Sequence, residues 1–172
     1  DIDFDYFGRT STPTQTRVAQ DIFNKIHARG FTVEESVQQF YCTVDDMYLA
    51  DRYIQGTCPS CLNTTARGDQ CDRCGRIFNS PVELQEAHCV ICGNKGLELR
   101  NSDHLFINLP LLSKDLETFV DNRSAKWASN ATQITRAWLK DGLKNRCITR
   151  DLKWGTPVPL PGYENKVFYV WF

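Results

Sequence analysis

Three Cys-x-x-Cys pairs follow one another closely in the middle of this chain: Cys58-Pro-Ser-Cys61, Cys71-Asp-Arg-Cys74 and Cys89-Val-Ile-Cys92. The first two are split by a nine-residue loop, the spacing at which each pair clasps two corners of one tetrahedral Zn²⁺ site. A glycine follows the second and third pairs, Gly75 and Gly93, where a tight turn must aim backbone amides at sulfur. Cys58, Cys61, Cys71 and Cys74 are therefore the predicted ligands of a structural metal whose four thiolates leave no open position for a water nucleophile. Two other readings use the same residues. Eight cysteines are an even number that a disulfide framework would allow, although C-x-x-C spacing favours chelation. A four-thiolate cage also accepts iron, as in an electron carrier.

The chain is long enough, at 172 residues with 41% hydrophobic content, to bury one ordinary core beside a metal-held lobe. A formal net charge of −1 excludes the overall basic footprint of a general nucleic-acid binder, so any such contact must be local. No apolar run approaches the roughly twenty residues of a membrane span, and thiolates available for metal point to a reducing, cytoplasmic setting. Neither a G-x-x-x-x-G-K-[ST] loop nor a glycine-rich dinucleotide fingerprint occurs. His27, His88 and His104 are spread through unrelated local patterns and read as structural rather than catalytic.

Periodicity predicts a helix opened by Thr12 as N-cap, with Pro13 at its first position and Gln15 completing a capping box. Val18, Ile22, Phe23 and Ile26 form its apolar stripe and Gly30 its stop. From about Phe40 to Gly96 short strands and turns carry the cysteines, and metal is expected to hold them together. A buried strand is predicted over His104–Leu109, closed by Pro110. Two helices follow in expectation: one capped by Ser113 with Leu116, Phe119 and Val120 inward, and one from near Asn130 to Gly142 with Ile134, Ala137 and Trp138 inward. Cys147 reads as a small core residue. The run Val167–Phe172 is continuously apolar and reads as a strand buried on both faces of a parallel sheet. Because the chain stops inside that run, it is expected to be an excerpt of a longer protein.

Several strings then become recognisable together: Phe7-Gly8-Arg9-Thr10, Leu49-Ala50-Asp51-Arg52-Tyr53, Arg67-Gly68-Asp69-Gln70-Cys71, Ser102-Asp103-His104, the run Cys147–Pro159, and Phe168-Tyr169-Val170-Trp171-Phe172. In this order, with the cysteine pairs between them, they resemble the middle of the methionyl-tRNA synthetases, most of all the cytosolic eukaryotic and archaeal branch. The resemblance implies an α/β fold, part of a class I synthetase Rossmann-type catalytic domain carrying an inserted zinc-knuckle connective domain. Residues 1–39 and 160–172 would belong to the catalytic body, 40–98 to the knuckle lobe, and 99–159 to the remainder of the insertion and its return. It further implies an enzyme that activates L-methionine with ATP and Mg²⁺ and passes it to tRNA(Met), with membership of a multisynthetase assembly as a further prospect. The His-x-Gly-His-like and Lys-Met-Ser-Lys-Ser-like signatures are absent from these residues, so the excerpt is expected to be inactive alone. A free-standing zinc module that binds nucleic acid or protein is the alternative.

Matched to the family residue by residue, Cys58, Cys61, Cys71 and Cys74 fall on its zinc knuckle. In relatives with two metals a C-x-x-C beginning at Cys42 pairs with Cys89 and Cys92, but here Asp45 stands where the second thiolate would be. A Cys₃Asp set suits Zn²⁺, which accepts carboxylate oxygen. His88 could supply nitrogen instead, and an empty site with three buried thiols is the plain alternative. Trp171 matches a family residue lining the methionine pocket, where an aromatic ring suits a thioether; strand-core packing would also account for it. Arg136, Lys140, Lys144, Arg146, Arg150 and Lys153 set six positive charges against Asp141 and Asp151. Such a stripe could guide a tRNA acceptor end through phosphate contacts or be a solvated face. Arg146, Arg150, Asp151 and Lys153 are the candidate active-site or acceptor contacts within it.

Overall fold

The computed structural model describes residues 2–78, 81–170 and 172. The chain divides into two compact units. The first comprises residues 1–35, 105–148 and 169–172, and the second residues 36–104 and 149–168.

In the first unit, α1 spans Pro13–Ala28 and begins as its sequence requires, with Thr12 Oγ1 accepting the Gln15 amide at 3.2 Å. It ends in a Schellman arrangement. Gly30, at φ +74°, donates to His27, and Phe31 donates to Ile26. Of the predicted stripe only Phe23 is buried, edge-on to Phe172 at 6.5 Å, while Val18 and Ile22 are exposed. Helix α2 is Ser113–Arg123 and α3 is Ser129–Asp141, closed by Gly142 at φ +84°. Ser113 does not cap α2. It is the first helical residue, and its hydroxyl donates to the Leu109 carbonyl. Val120 is buried as expected, but Phe119, Ile134 and Trp138 are exposed, Trp138 by 66%. Spacing tells which face of a helix is apolar and not what covers it.

The strand register carries the second unit. Strand β1 is Thr32–Cys42 and pairs antiparallel with β2, Met47–Tyr48, matching Tyr41 to Tyr48 and Cys42 to Met47. Strand β3, Ile54–Thr57, lies between β4, Ala66–Arg67, and β5, Gln85–Cys89, antiparallel to both. Gly56 is required there, because a Cβ on it would stand 2.8 Å from the Gln85 carbonyl oxygen. Strand β6 runs Glu98–Ile107, so the predicted strand at His104–Leu109 begins six residues earlier and ends two sooner. Its first four residues are exposed and mostly polar, which hid it, and Leu109–Leu112 form a 3-10 turn around Pro110.

Short strands complete the list. β7, Arg146–Cys147, pairs antiparallel with β6, setting the half-buried Cys147 opposite Phe106. β8, Thr149–Arg150, pairs antiparallel with β9, Val167–Phe168. The four-stranded sheet has the order β2-β1-β6-β7. The expected long strand over 167–172 is thus corrected to a two-residue antiparallel one followed by a turn, with Val170 exposed. A continuous apolar run fixes neither strand length nor burial at every position. Among the described residues no helix is long and apolar enough to cross a membrane.

The core of the second unit is built on sulfur. Its buried cluster joins Leu49, Ile54, Ala66, Phe78 and Leu84 to Cys42, Cys58, Cys71 and Cys89, all four of these cysteines fully buried. Replacing Gly56 by Ala should cost about 1–3 kcal/mol, because the clash is with backbone that cannot turn away, and urea unfolding of the chain will measure it.

Candidate metal centres

The turn is the unit from which both centres are made. In Cys58–Asn63 the amide of Cys58 donates to Asn63 and the amide of Leu62 to Cys58, at 2.8 and 2.9 Å. Cys71–Arg76 repeats this with Cys71 to Arg76 and Gly75 to Cys71, and Cys89–Asn94 with Cys89 to Asn94 and Gly93 to Cys89. The residue after the second ligand is left-handed each time: Leu62 at φ +58°, Gly75 at +73° and Gly93 at +75°. The stretch from Cys42 shares the left-handed residue, Asp46 at φ +51° following Asp45, and Cys42 pairs with Met47 five residues on. Aspartate tolerates that conformation better than most residues with a Cβ.

These four turns close on each other in pairs. Ligand atoms of Cys58, Cys61, Cys71 and Cys74 lie within 4.8 Å of one another, as do those of Cys42, Asp45, Cys89 and Cys92. In the first group Cys61 Sγ is 3.6 Å from Cys71 Sγ and Cys58 Sγ 3.8 Å from Cys74 Sγ. A tetrahedron with Zn–S arms of about 2.3 Å has edges of about 3.8 Å, so the sulfurs stand where one ion would hold them. They are far from the roughly 2.05 Å of a disulfide, and none of the eight cysteines is in one. In the second group Cys42 Sγ is 3.5 Å from Cys92 Sγ, and Asp45 Oδ2 is 3.1 Å from Cys89 Sγ and 3.3 Å from Cys42 Sγ. His88, the other donor considered, is outside this set, facing Gln55 across the β3–β5 ladder.

Each group has an asparagine that the sequence reading missed. Asn63 donates through Nδ2 to Cys71 Sγ, and Asn94 through Nδ2 to Cys42 Sγ, both at 3.6 Å. Each sits five residues after the first cysteine of its own turn and reaches a sulfur of the opposite turn. The signal was present as C-x-x-C-x-N in both places. Burial pushes the Cys71 thiol up, but the Asn63 amide and the Cys74 and Arg73 backbone N–H groups outweigh it and leave it at about 6. Cys61 receives the Asn63 backbone N–H, yet burial and the three neighbouring sulfurs drive it to about 12. Thiols so placed cannot all ionise unless a cation offsets their repulsion, which is what a divalent ion supplies. Arg76 ties the two turns of the first group, reaching Ser60 Oγ at 2.5 Å and Glu83 at 2.8 Å.

The other candidate residues divide. Arg136, Lys140, Lys144 and Arg146 belong to the first unit, and Arg150, Asp151 and Lys153 to the second. Arg136 pairs with Asp121 at 2.8 Å on the surface, and Arg146 and Lys153 are exposed. Trp171 lies outside the described residues. Asp151 is the hub of a buried polar network, with Oδ2 2.9 Å from His104 Nε2 and 2.8 Å from Ser102 Oγ, and Oδ1 2.5 Å from Lys166 Nζ. Gln39 Nε2 adds a contact to Oδ2 at 3.3 Å. Burial pushes the carboxyl up, but hydrogen bonds from His104 and Lys166 prevail and hold it at about 2. Arg150, one residue earlier, lies close enough to Asp51 to oppose the rise that desolvation imposes on that carboxyl.

With this geometry in view, the comparisons agree. The family model described as tRNA synthetases class I (M) matches residues 1–172. The chain belongs to that family. It is 52% identical to the cytoplasmic methionine–tRNA ligase of Homo sapiens, over 99% of this chain and 19% of that protein. It is likewise 52% identical to the cytoplasmic enzyme of Arabidopsis thaliana, over 99% and 22%. The chain thus spans about a fifth of the length of the curated relatives it matches. In fold it is similar to Mycobacterium tuberculosis methionyl-tRNA synthetase in complex with methionyl-adenylate. That match has a TM-score of 0.58 at 17% identity and covers 99% of this chain and 28% of that one. The resemblance read from the sequence and the class I α/β fold both hold.

Replacing Asn63 by Ala should weaken metal binding by about 10- to 100-fold, the usual effect of losing a partner that orients a ligand; competition with a colorimetric chelator will read it. The depressed pKa of Asp151 contributes stability that is complete above the unfolded value near 4 and lost as pH falls through about 2. The stability difference between wild type and Asp151→Asn, about 2 kcal/mol at neutral pH, should therefore shrink between pH 4 and 2 in urea titrations.

Proposed function

We propose that this chain is the central part of a methionine–tRNA ligase, which activates L-methionine with ATP and Mg²⁺ and transfers it to tRNA(Met) in the cytoplasm. The observation that carries the reading is half-identity to such ligases along 99% of the chain, in the stretch that contains the paired turns. In this reading residues 40–98 are a zinc-held lobe inserted into a nucleotide-binding body to which 1–39 and 160–172 contribute, with 99–159 forming the return. Membership of a multisynthetase assembly is part of the same proposal.

Cys58, Cys61, Cys71 and Cys74 would hold Zn²⁺ in a saturated site that shapes the lobe and does no chemistry. Cys42, Asp45, Cys89 and Cys92 would hold a second ion. The common turn geometry, the short edges of both groups and the matching asparagines support a metal at each. Trp171 would contact the methionine thioether. Arg146, Arg150 and Lys153 would contact phosphates of ATP or of the tRNA acceptor end, for which a guanidinium offers paired donors and a lasting positive charge.

The test is methionine-dependent pyrophosphate exchange by the full-length protein, with metal counted by plasma emission on the same preparation. Exchange with methionine and two equivalents of zinc is the expected result. Activity with another amino acid would end the reading, and one equivalent would end the Asp45 assignment. Replacing Trp171 by Ala should raise the methionine KM roughly ten-fold, the scale of a lost sulfur–aromatic contact, and change kcat less.

A further inference from the structure

We propose that Asp151 is a positioning residue that acts through His104, Lys166 and Thr149 to present Arg150, and that it does not itself touch substrate. The inference rests on the reading of the chain as part of a ligase, and it separates two neighbours that the sequence treats alike.

The carboxylate is already spent. An ionised carboxylate has about four acceptor positions, and Asp151 uses its oxygens on His104, Ser102, Gln39 and Lys166. Its side chain is 12% exposed, that of Lys166 11% and that of His104 1%. Lys166 also donates to Ser102 Oγ at 2.6 Å, which leaves the ion pair hydrogen-bonded within the fold. A buried pair of this kind costs desolvation and gives little stability over an apolar pair in its place, although removing one partner alone is costly, and it fixes geometry firmly.

What it fixes is Arg150. Successive residues of an extended chain project to opposite faces, so Thr149 and Asp151 share a face and Arg150 takes the other. The His104 ring spans the first two, Nδ1 at 2.9 Å from Thr149 Oγ1 and Nε2 at 2.9 Å from Asp151 Oδ2. Thr149 is fully buried, and Arg150 is only half-buried. Holding the two inward residues on one imidazole commits the residue between them outward. The register adds a second restraint. Arg150 pairs with Val167 across the β8–β9 ladder, and the Asp151–Lys166 ion pair closes the next rung, joining the exit of β8 to the entry of β9. On that face the Arg150 Nη1 donates to the Thr149 carbonyl at 2.8 Å, which fixes the guanidinium and leaves its other N–H donors to meet a developing phosphate charge.

The test is a double-mutant cycle in the full-length enzyme, read by methionine-dependent pyrophosphate exchange. Asp151→Asn should lower kcat roughly 10- to 100-fold, the cost of a small misplacement, with the KM values for methionine and ATP within about two-fold of wild type. Asp151→Asn should cost nothing further in an Arg150→Ala background, because residues acting as one unit are not additive. Lys166→Arg should recover much of what Lys166→Met loses. Independent multiplying losses, or a raised substrate KM with kcat kept, would overturn the proposal. Amide hydrogen exchange supplies a readout apart from activity: Thr149–Asp151 should exchange faster in Asp151→Asn while Cys58–Cys74 does not. Unchanged exchange at 149–151 would also overturn it. If Asp151→Asn does not fold, Thr149→Val is measured in its place against the same criteria. A wild type that lacks methionine-dependent exchange sinks the ligase reading, and the hydrogen-exchange arm still decides the clamp.

Discussion

The second unit depends on a turn that brings a sulfur and the ligand three residues later to one side, then reverses the chain through a left-handed residue. Four such turns occur at 42, 58, 71 and 89, and they meet in two pairs. The strands between them are too short to bury a core of their own, with two residues in β2 and β4 and four in β3. The buried cysteines stand in for the missing aliphatic side chains. Losing the clasp would therefore expose the same surface that the hydrophobic residues bury, and ligand binding and folding become one event.

The Asp151 network solves a different problem in the same unit. Sulfur holds the turns, but nothing in the clusters sets the register of β8 against β9, which returns to this unit from residue 149 onward. Polar side chains from β1, β6 and the residue before β9 converge on one carboxylate, and Thr149 of β8 holds the far nitrogen of His104. A half-satisfied group at such depth would cost more than an apolar replacement, so the completeness of the network is what makes it tolerable.

The cysteine turns could be read from sequence because their chemistry is local: C-x-x-C states the ligands, and at Gly75 and Gly93 the next residue states the left-handed position as well. The helix boundaries at Thr12, Gly30 and Gly142 were legible for the same reason. Strand β1 was not, since Glu34, Glu35, Ser36, Gln38 and Gln39 interrupt its apolar side. The Asp151 hub was legible only as one candidate contact in a charged stripe, because its partners are drawn from positions 39, 102, 104 and 166 and only pairing in space unites them. Asn63 and Asn94 lie between these cases. Their spacing was visible, but an asparagine after a cysteine pair acquires meaning only when the turn it donates to is known.

The equivalence of the two clusters also explains how one of them can carry an aspartate. Superposing the roles turn by turn sets Cys58 with Cys89, Cys61 with Cys92, Cys71 with Cys42 and Cys74 with Asp45, because Asn63 and Asn94 donate to the third member of each set. Cys74 and Asp45 thus hold the same corner, and each turn ends in a left-handed residue whether it is Gly75 or Asp46. Carboxylate for thiolate preserves the formal charge of the corner and changes its softness, moving the site from an all-sulfur set toward one that also suits harder ions. Because both turns end in a left-handed residue whichever of the two is present, the substitution would change which ions the second cluster could hold without changing the turn that presents them.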